Sequence, residues 1–297
     1  MFDVLVVGGG PAGLSAAMML GRCRRSVLIC DLGQPRNRKS HGLHGYLTRD
    51  GIPPPEFNEL GRRELTQYGV ELRMVGVTGA RKLANHYRVA LGDGTEENAR
   101  FLLIATGVVD HLPAIAGFGD CYGLSLFHCP YCDGWEVRDR RIAAFGTGSD
   151  VTGLALGLKT WSADVVVCTN GARLDRRMRE RLAANGIAVR TERIAKLDHQ
   201  DGVLTSVVFA SGDPLPRDAM FFTTGQHQRS DLAIKLGCTL TSRGAVRTGS
   251  RCDTNVPRLF VAGDASRDAQ FVVVAAAEGV RAAVAINKAL QSQELRS

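Results

Sequence analysis

Apolar residues along the chain fall into short unbroken runs, each leading into glycine. Val4 to Val7 is such a run, with Asp3 before it. That is the pattern of a parallel strand covered on both faces. It passes into Gly8-Gly9-Gly10; Leu14 to Leu20, rich in Ala, Leu and Met, then predicts a helix, and Ser26 to Cys30 a second buried strand. The three make a β-α-β unit. The same order returns at Arg141 to Phe145, Gly146-Thr147-Gly148, a helical stretch from Val151 to Trp161 and a strand from Asp164 to Cys168. Two such units predict an α/β protein with two Rossmann-like (three-layer ββα) nucleotide-binding domains, the second inserted into the first.

Weaker patterns fill the rest. A polar, proline-bearing loop (Gln34 to Pro55) leads to a helix (Glu56 to Tyr68), short strands near Tyr87 to Leu91 and the run Phe101 to Gly107. Beyond the second unit come a helix (Leu174 to Ala184), a hairpin (Ile194 to Ala210) turning at Asp201-Gly202, and a strand (Ala219 to Thr223). A strand at Leu259 to Ala262 and an Ala/Val-rich helix from Ala269 to Leu290 close the pattern.

Composition changes this picture little. A length of 297 residues suits two domains, and 44% hydrophobic with 23% charged residues excludes wholesale disorder. The short apolar run at Phe2 to Val7 has no basic leader or cleavage site, and no stretch is long enough to span a bilayer, so a cytoplasmic protein without membrane partners is expected. Of the net charge of +7, the densest part (Arg173, Arg176, Arg177, Arg179, Arg181) alternates with Leu174, Met178 and Leu182 at helical spacing. It reads as a solvated helix face, and no motif calls for nucleic acid. Eight cysteines are too few for a secreted disulfide framework.

The chemistry begins at Gly8-Gly9-Gly10-Pro11-Ala12-Gly13, a GxGxxG between strand and helix, with Asp31 at the end of the second strand. Gly8 permits the turn, Gly10 lets a pyrophosphate approach the backbone, and Gly13 allows helix and strand to pack closely. The helix N-terminus favours the phosphates, and Asp31 is placed for a ribose diol. Ala105-Thr106-Gly107 and Gly263-Asp264 add two further strand-end turns. Cys129 and Cys132 stand at a spacing that closes a small reducible disulfide. A zinc site completed by Cys121 and His128 would want a second well-spaced pair, so no metal is expected. His41 and His44 lie in a Gly-rich polar loop and read as cofactor-loop or surface residues.

Taken in order, GxGxxG, Ala105-Thr106-Gly107, His128-Cys129-Pro130-Tyr131-Cys132-Asp133, a second Gly-x-Gly and Ala262-Gly263-Asp264 resemble the low-molecular-weight thioredoxin reductases over essentially the whole chain. The resemblance implies an FAD domain from residues 1–113 and 243–297 and a pyridine-nucleotide-type domain, 114–242, carrying the redox pair. It implies that Cys132 faces the flavin, Cys129 exchanges with the substrate disulfide and Asp133 moves the proton, with His128 assisting or packing. Gln270 matches the Gln of an Arg-Gln-Ala motif beside the flavin, with Ala269 in the place of the Arg. A homodimer is implied too, and a thioredoxin-like protein or a small disulfide or dithiol as substrate.

The second nucleotide site departs from that family. Gly146 and Gly148 are kept, followed by Ser149 and Asp150, but Val151 stands where the family has a small residue, and is expected to push the helix off the strand. At the next strand end Thr169-Asn170 replaces the His-Arg-Arg cluster that clamps the NADPH 2′-phosphate. This argues against NADPH. The routes left open are an acidic ferredoxin or flavodoxin drawn to the positive charge, a second FAD in the vacated site, or a dithiol oxidase passing electrons to O₂. An ordinary NADPH-dependent reductase and a non-catalytic flavin-binding module are the remaining alternatives; the latter leaves Cys-x-x-Cys-Asp without a purpose.

Overall fold

A computed structural model describes residues 1–266 and 269–295. In chain order its elements begin β1 (Phe2–Val7), α1 (Pro11–Arg22), β2 (Val27–Cys30), α2 (Pro54–Thr66) and β3 (Glu71–Arg73). Then follow β4 (Val77–Lys82), β5 (Tyr87–Leu91), β6 (Glu96–Ile104), β7 (Val108–Asp110), α3 (Phe118–Cys121), β8 (Leu126–Phe127) and α4 (Pro130–Asp133). Next come β9 (Ile142–Phe145), α5 (Gly148–Leu158), β10 (Val165–Cys168), α6 (Arg176–Ala183), β11 (Ala188–Arg190), β12 (Ile194–Gln200) and β13 (Val203–Phe209). The last are β14 (Leu215–Pro216), β15 (Ala219–Phe222), β16 (Gln226–Gln228), α7 (Leu232–Lys235), β17 (Leu259–Val261) and α8 (Val272–Glu294).

The chain forms two compact units. One comprises residues 1–38, 45–109 and 227–297; the other comprises 39–44 and 110–226. The crossings are the short strands β7 and β16, which pair with each other. The return to the first unit comes at residue 227, earlier than the expected 243. The physical reason is α7: Leu232 and Ala233, with Cys238 beyond it, pack into the first unit's core against Leu5, Leu28 and Leu102.

In the first unit the sheet runs β3-β2-β1-β6-β5-β4, with β17 also on β6. The β1, β2, β3 and β17 pairings are parallel, while β4 and β5 return antiparallel. Val4 and Val6 point to one face and Leu5 and Val7 to the other, and all four are buried. That is why β1 reads as an unbroken apolar run rather than an alternating one. One face is covered by α1 and α8, through Leu14, Ala17 and Leu20 against Ala282, Ala283 and Ile286. Contact is close enough that a Cβ on Gly279 would lie 2.0 Å from the Ala12 carbonyl oxygen.

The inserted unit has an all-parallel sheet, β11-β10-β9-β15-β8, and an antiparallel sheet, β12-β13-β14. The β12–β13 turn is Asp201-Gly202, both residues left-handed, as a tight hairpin requires. On α6 the Asp175 side chain caps the Met178 N–H at 2.7 Å, Leu182 is buried and the arginines stay in solvent. The solvated-face reading of that arginine run describes it. α5 and α8 start earlier and later respectively than expected, at Gly148 and Val272.

Candidate active site

In the inserted unit, Cys129 ends an extended segment and caps α4, whose first residue is Pro130. Proline fits there because the first helical N–H has no intrahelical partner to lose. The N–H groups of Cys132 and Asp133 both donate to the Cys129 carbonyl, at 3.1 and 3.2 Å. This single turn folds the two cysteines together, with Cα atoms 5.3 Å apart and the sulfurs joined as a disulfide. Gly134 closes the turn: a Cβ there would meet the Pro130 carbonyl oxygen at 2.4 Å and the Trp161 ring at 2.8 Å. Tyr131, between the cysteines, is 78% exposed and meets Trp161 edge-on at 5.5 Å.

Asp133 follows the pair. Burial pushes its carboxyl up to about 7, and the negative charge of Glu136 adds to the shift. It is therefore poised between acid and base near neutral pH. His44, from the short 39–44 segment, lies 3.5 Å from Glu136. His128 Nδ1 is 4.0 Å from Asp110, which is almost wholly buried and accepts the Tyr122 hydroxyl. Asp110 and Glu136 carry no local sequence signature. The other thiols differ in kind. Cys23 is exposed, while burial raises Cys30 to about 11 and Cys168 to about 12 and lifts Cys121 and Cys238 as well. Among the described residues no group of three or more His, Cys, Asp or Glu is placed to hold a metal ion.

The first unit brings the three strand-end turns together. Gly8 has a φ of +105°, and a Cβ on it would lie 2.5 Å from the Ala105 carbonyl oxygen. Gly13 sits against Gly8 itself, whereas a Cβ on Gly10 would meet nothing within 4 Å. So Gly8 and Gly13 are small for packing, and Gly10 leaves open space at the start of α1. No side chain caps that helix, and Pro11 is at its start. Asp31 borders the turn beside Gly9 and pairs through Oδ2 with Arg62 at 2.8 Å. Arg62 projects from α2, a partner that nothing near Asp31 in sequence announces.

The Gly263-Asp264 turn is held from below by Glu278, a buried carboxylate that accepts the Gly263 N–H at 2.8 Å and the Ser266 hydroxyl at 3.4 Å. Arg36 reaches Asp264 and Gln270. The Thr106 hydroxyl and Gln270 Nε2 are buried with no hydrogen-bond partner. Buried polar atoms are nearly always paired, so both mark where a polar group belongs. Open space at Gly10, an uncapped helix start and two orphaned polar atoms fit a bound dinucleotide with polar ring substituents.

The second glycine turn is built differently. Gly146 faces Thr223: a Cβ on it would be 2.2 Å from the Thr223 hydroxyl, itself buried without a partner. Ser149 and Asp150 are exposed, and Asp150 sets a carboxylate in the first turn of α5, where Ala12 stands in α1. Val151 is fully buried in a core with Ile142, Ala144, Ala155 and Phe221. The helix starts two residues after the first glycine, against three in the first unit. The β-branched residue is thus absorbed into the core, where the sequence predicted a wedge. Thr169 Oγ1 donates to the Ala172 carbonyl at 2.6 Å, and Asn170 Oδ1 accepts the Ile194 N–H at 2.8 Å. Thr169 is thus spent on its own turn, and the Asn170 oxygen on the start of β12.

Comparison with known proteins gives a concordant result. Residues 2–279 match the family described as pyridine nucleotide-disulphide oxidoreductase. The chain is 30% identical to thioredoxin reductase tcpT of Claviceps purpurea, over 88% of this chain and 86% of that one. Among solved structures, TrxB of Bacillus anthracis superposes with a TM-score of 0.95 at 34% identity, covering 99% of this chain and 100% of the other. HlmI superposes at 0.96 with 33% identity, covering 99% and 94%.

Proposed function

This chain belongs to the pyridine nucleotide-disulphide oxidoreductase family, and from that premise we propose that it is an FAD-dependent thiol-disulfide oxidoreductase working through Cys129 and Cys132 without NADPH as its reductant. The observation that carries the reading is the disulfide on α4 with Asp133 poised near neutrality beside it.

Gly8, Gly10 and Gly13 would hold the FAD pyrophosphate, Asp31 the ribose, and Thr106, Asp264 and Gln270 the flavin side. Bound there, FAD supplies reversible two-electron exchange with the cysteine pair. The protein does the remaining chemistry. In the dithiol state the Cys129 thiolate attacks one sulfur of a substrate disulfide, forming a mixed disulfide and releasing the first thiol. Cys132 then attacks Cys129 Sγ, re-forming the intramolecular bond and releasing the second. Asp133 takes the proton that Cys132 loses, which a carboxylate with a raised pKa does efficiently near pH 7. With electron flow reversed the same groups oxidise a dithiol.

Against NADPH stand three features of the inserted unit. Thr169 is committed to its own turn and the Asn170 oxygen to Ile194 on β12, Asp150 places negative charge where a pyrophosphate would dock, and Thr223 crowds Gly146. The test is an anaerobic donor screen on the purified flavoprotein, following flavin absorbance. Slow or absent bleaching by NADPH and NADH, with full reduction by a dithiol, is expected. Rapid bleaching by NADPH would overturn the donor assignment. Protein that carries no flavin, or a Cys132→Ser variant that a dithiol still reduces, would overturn the function itself.

A further inference from the structure

Arg36 and Gln270 stand 234 residues apart in sequence, yet Arg36 Nη1 donates to Gln270 Oε1 at 2.6 Å. The same nitrogen lies 3.5 Å from Asp264 Oδ2, and the Arg36 side chain is only 14% exposed. A guanidinium has donors and no acceptor, so it holds only the oxygen end of an amide. Turning the Gln270 amide over would set N–H against N–H, which fixes its orientation chemically. Gln270 Nε2 then points elsewhere, and it is the nitrogen found buried with no hydrogen-bond partner. Asp264 Oδ2 also accepts from Arg36 Nη1 and helps hold the guanidinium in place.

We propose that Arg36 is a positioning residue that locks Gln270 as a hydrogen-bond donor toward a carbonyl oxygen of the bound flavin. This rests on the FAD reading above. It gives the loop between β2 and α2 a role of its own: that loop brings a fixed positive charge to a site where Ala269, next to Gln270, offers none. The specificity is for an acceptor. A flavin ring presents carbonyl oxygens, and a ligand offering only donors at this point is rejected.

The test is FAD binding to stripped protein, read by flavin fluorescence quenching and by the absorption maximum of the bound flavin. Arg36→Met frees the amide and should raise the FAD Kd about tenfold, the loss of one well-placed hydrogen bond. Its flavin spectrum should move toward that of free FAD. Arg36→Lys keeps a charged donor and should recover most of the affinity. Gln270→Glu keeps its contact with Arg36 as an ion pair but has no N–H to give. It should lose as much FAD affinity as Arg36→Met while the apoprotein melts no lower than wild type. The double variant should be no worse than either single one, because both remove the same interaction. Wild-type Kd and spectrum in Arg36→Met, or additive losses in the double variant, would overturn the proposal. Wild-type protein that fails to bind FAD would instead overturn the reading beneath it. If Arg36→Met does not fold, Arg36→Lys and Gln270→Glu decide: equal retention of FAD in Gln270→Glu refutes the latch.

Discussion

Replacing Asp133 by Asn removes one titration from the folded protein and replaces the carboxyl with a neutral group of the same shape. In the fold this carboxyl is raised from 3.8 to about 7. Its protonated form is therefore favoured in the native state, and the stability it contributes is complete below 3.8 and lost as pH rises through 7. The full shift sets a ceiling of about 4 kcal/mol on that loss. Asp133 is only partly shielded from solvent, so screening brings the expected figure to about 2 kcal/mol. The Asn variant has no such loss. Between about pH 4 and about pH 8 its melting temperature should climb relative to wild type by about 3–5 °C, levelling off above pH 7. Differential scanning calorimetry of both proteins across that range measures the gap directly, with no substrate or donor needed. A gap that stays constant with pH refutes the reasoning, because Asp133 would then titrate alike in folded and unfolded chains. Exchange of the reduced pair with a disulfide gives a second reading: the rate should rise through about pH 7 in wild type and lose that inflection in Asp133→Asn.

Other outcomes follow from the same geometry. Glu278→Ala leaves the Gly263 N–H without its acceptor in a buried site and should cost about 1–3 kcal/mol, seen as a lower melting temperature and FAD lost on desalting. Glu278→Gln, which still offers a carbonyl oxygen, should keep most of both. Gly134→Ala forces a methyl onto the Pro130 carbonyl and the Trp161 ring and should cost about 1–3 kcal/mol, with a changed tryptophan signal in near-UV dichroism. In the fully reduced native protein, Cys23, Cys129 and Cys132 should react quickly with a thiol reagent at pH 8, and the buried cysteines only after denaturation. A fourth fast thiol would contradict the burial that raises Cys30 and Cys168 to about 11 and 12.

What was legible in the sequence is what is local. Gly8 and Gly13 owe their identities to contacts within one turn and one neighbouring strand end, and Gly10 to the open space beside that turn, so spacing alone exposes them. Cys129 and Cys132 are likewise brought together by a single turn. Arg36 and Arg62 act on partners on other segments of the chain and Glu278 on the turn ahead of its own helix, and each looks locally like an ordinary loop or helix charge. The return crossing at 227 is hidden because the apolar residues of α7 carry no mark of which core they join. Val151 shows a different limit: the motif says which residue is unusual, but only the packing of α5 shows how the bulk is accommodated.

The division of the chain has a consequence for how the protein is made. Residues 110–226 are contiguous, with the whole sheet β11-β10-β9-β15-β8 among them, so a nearly complete folding unit is synthesised before any of residues 227–297. The first unit has no such opportunity. Its sheet lacks β17, and Ala12 lacks its contact with Gly279, until segments beyond the inserted unit have been made. Domains generally fold as units during synthesis, those completed first folding first. Here the middle of the chain matures before the beginning, which must wait exposed for α8. The glycine turn at residue 8 is made before the inserted unit, yet its covering helix is made after it, so the turn takes shape second.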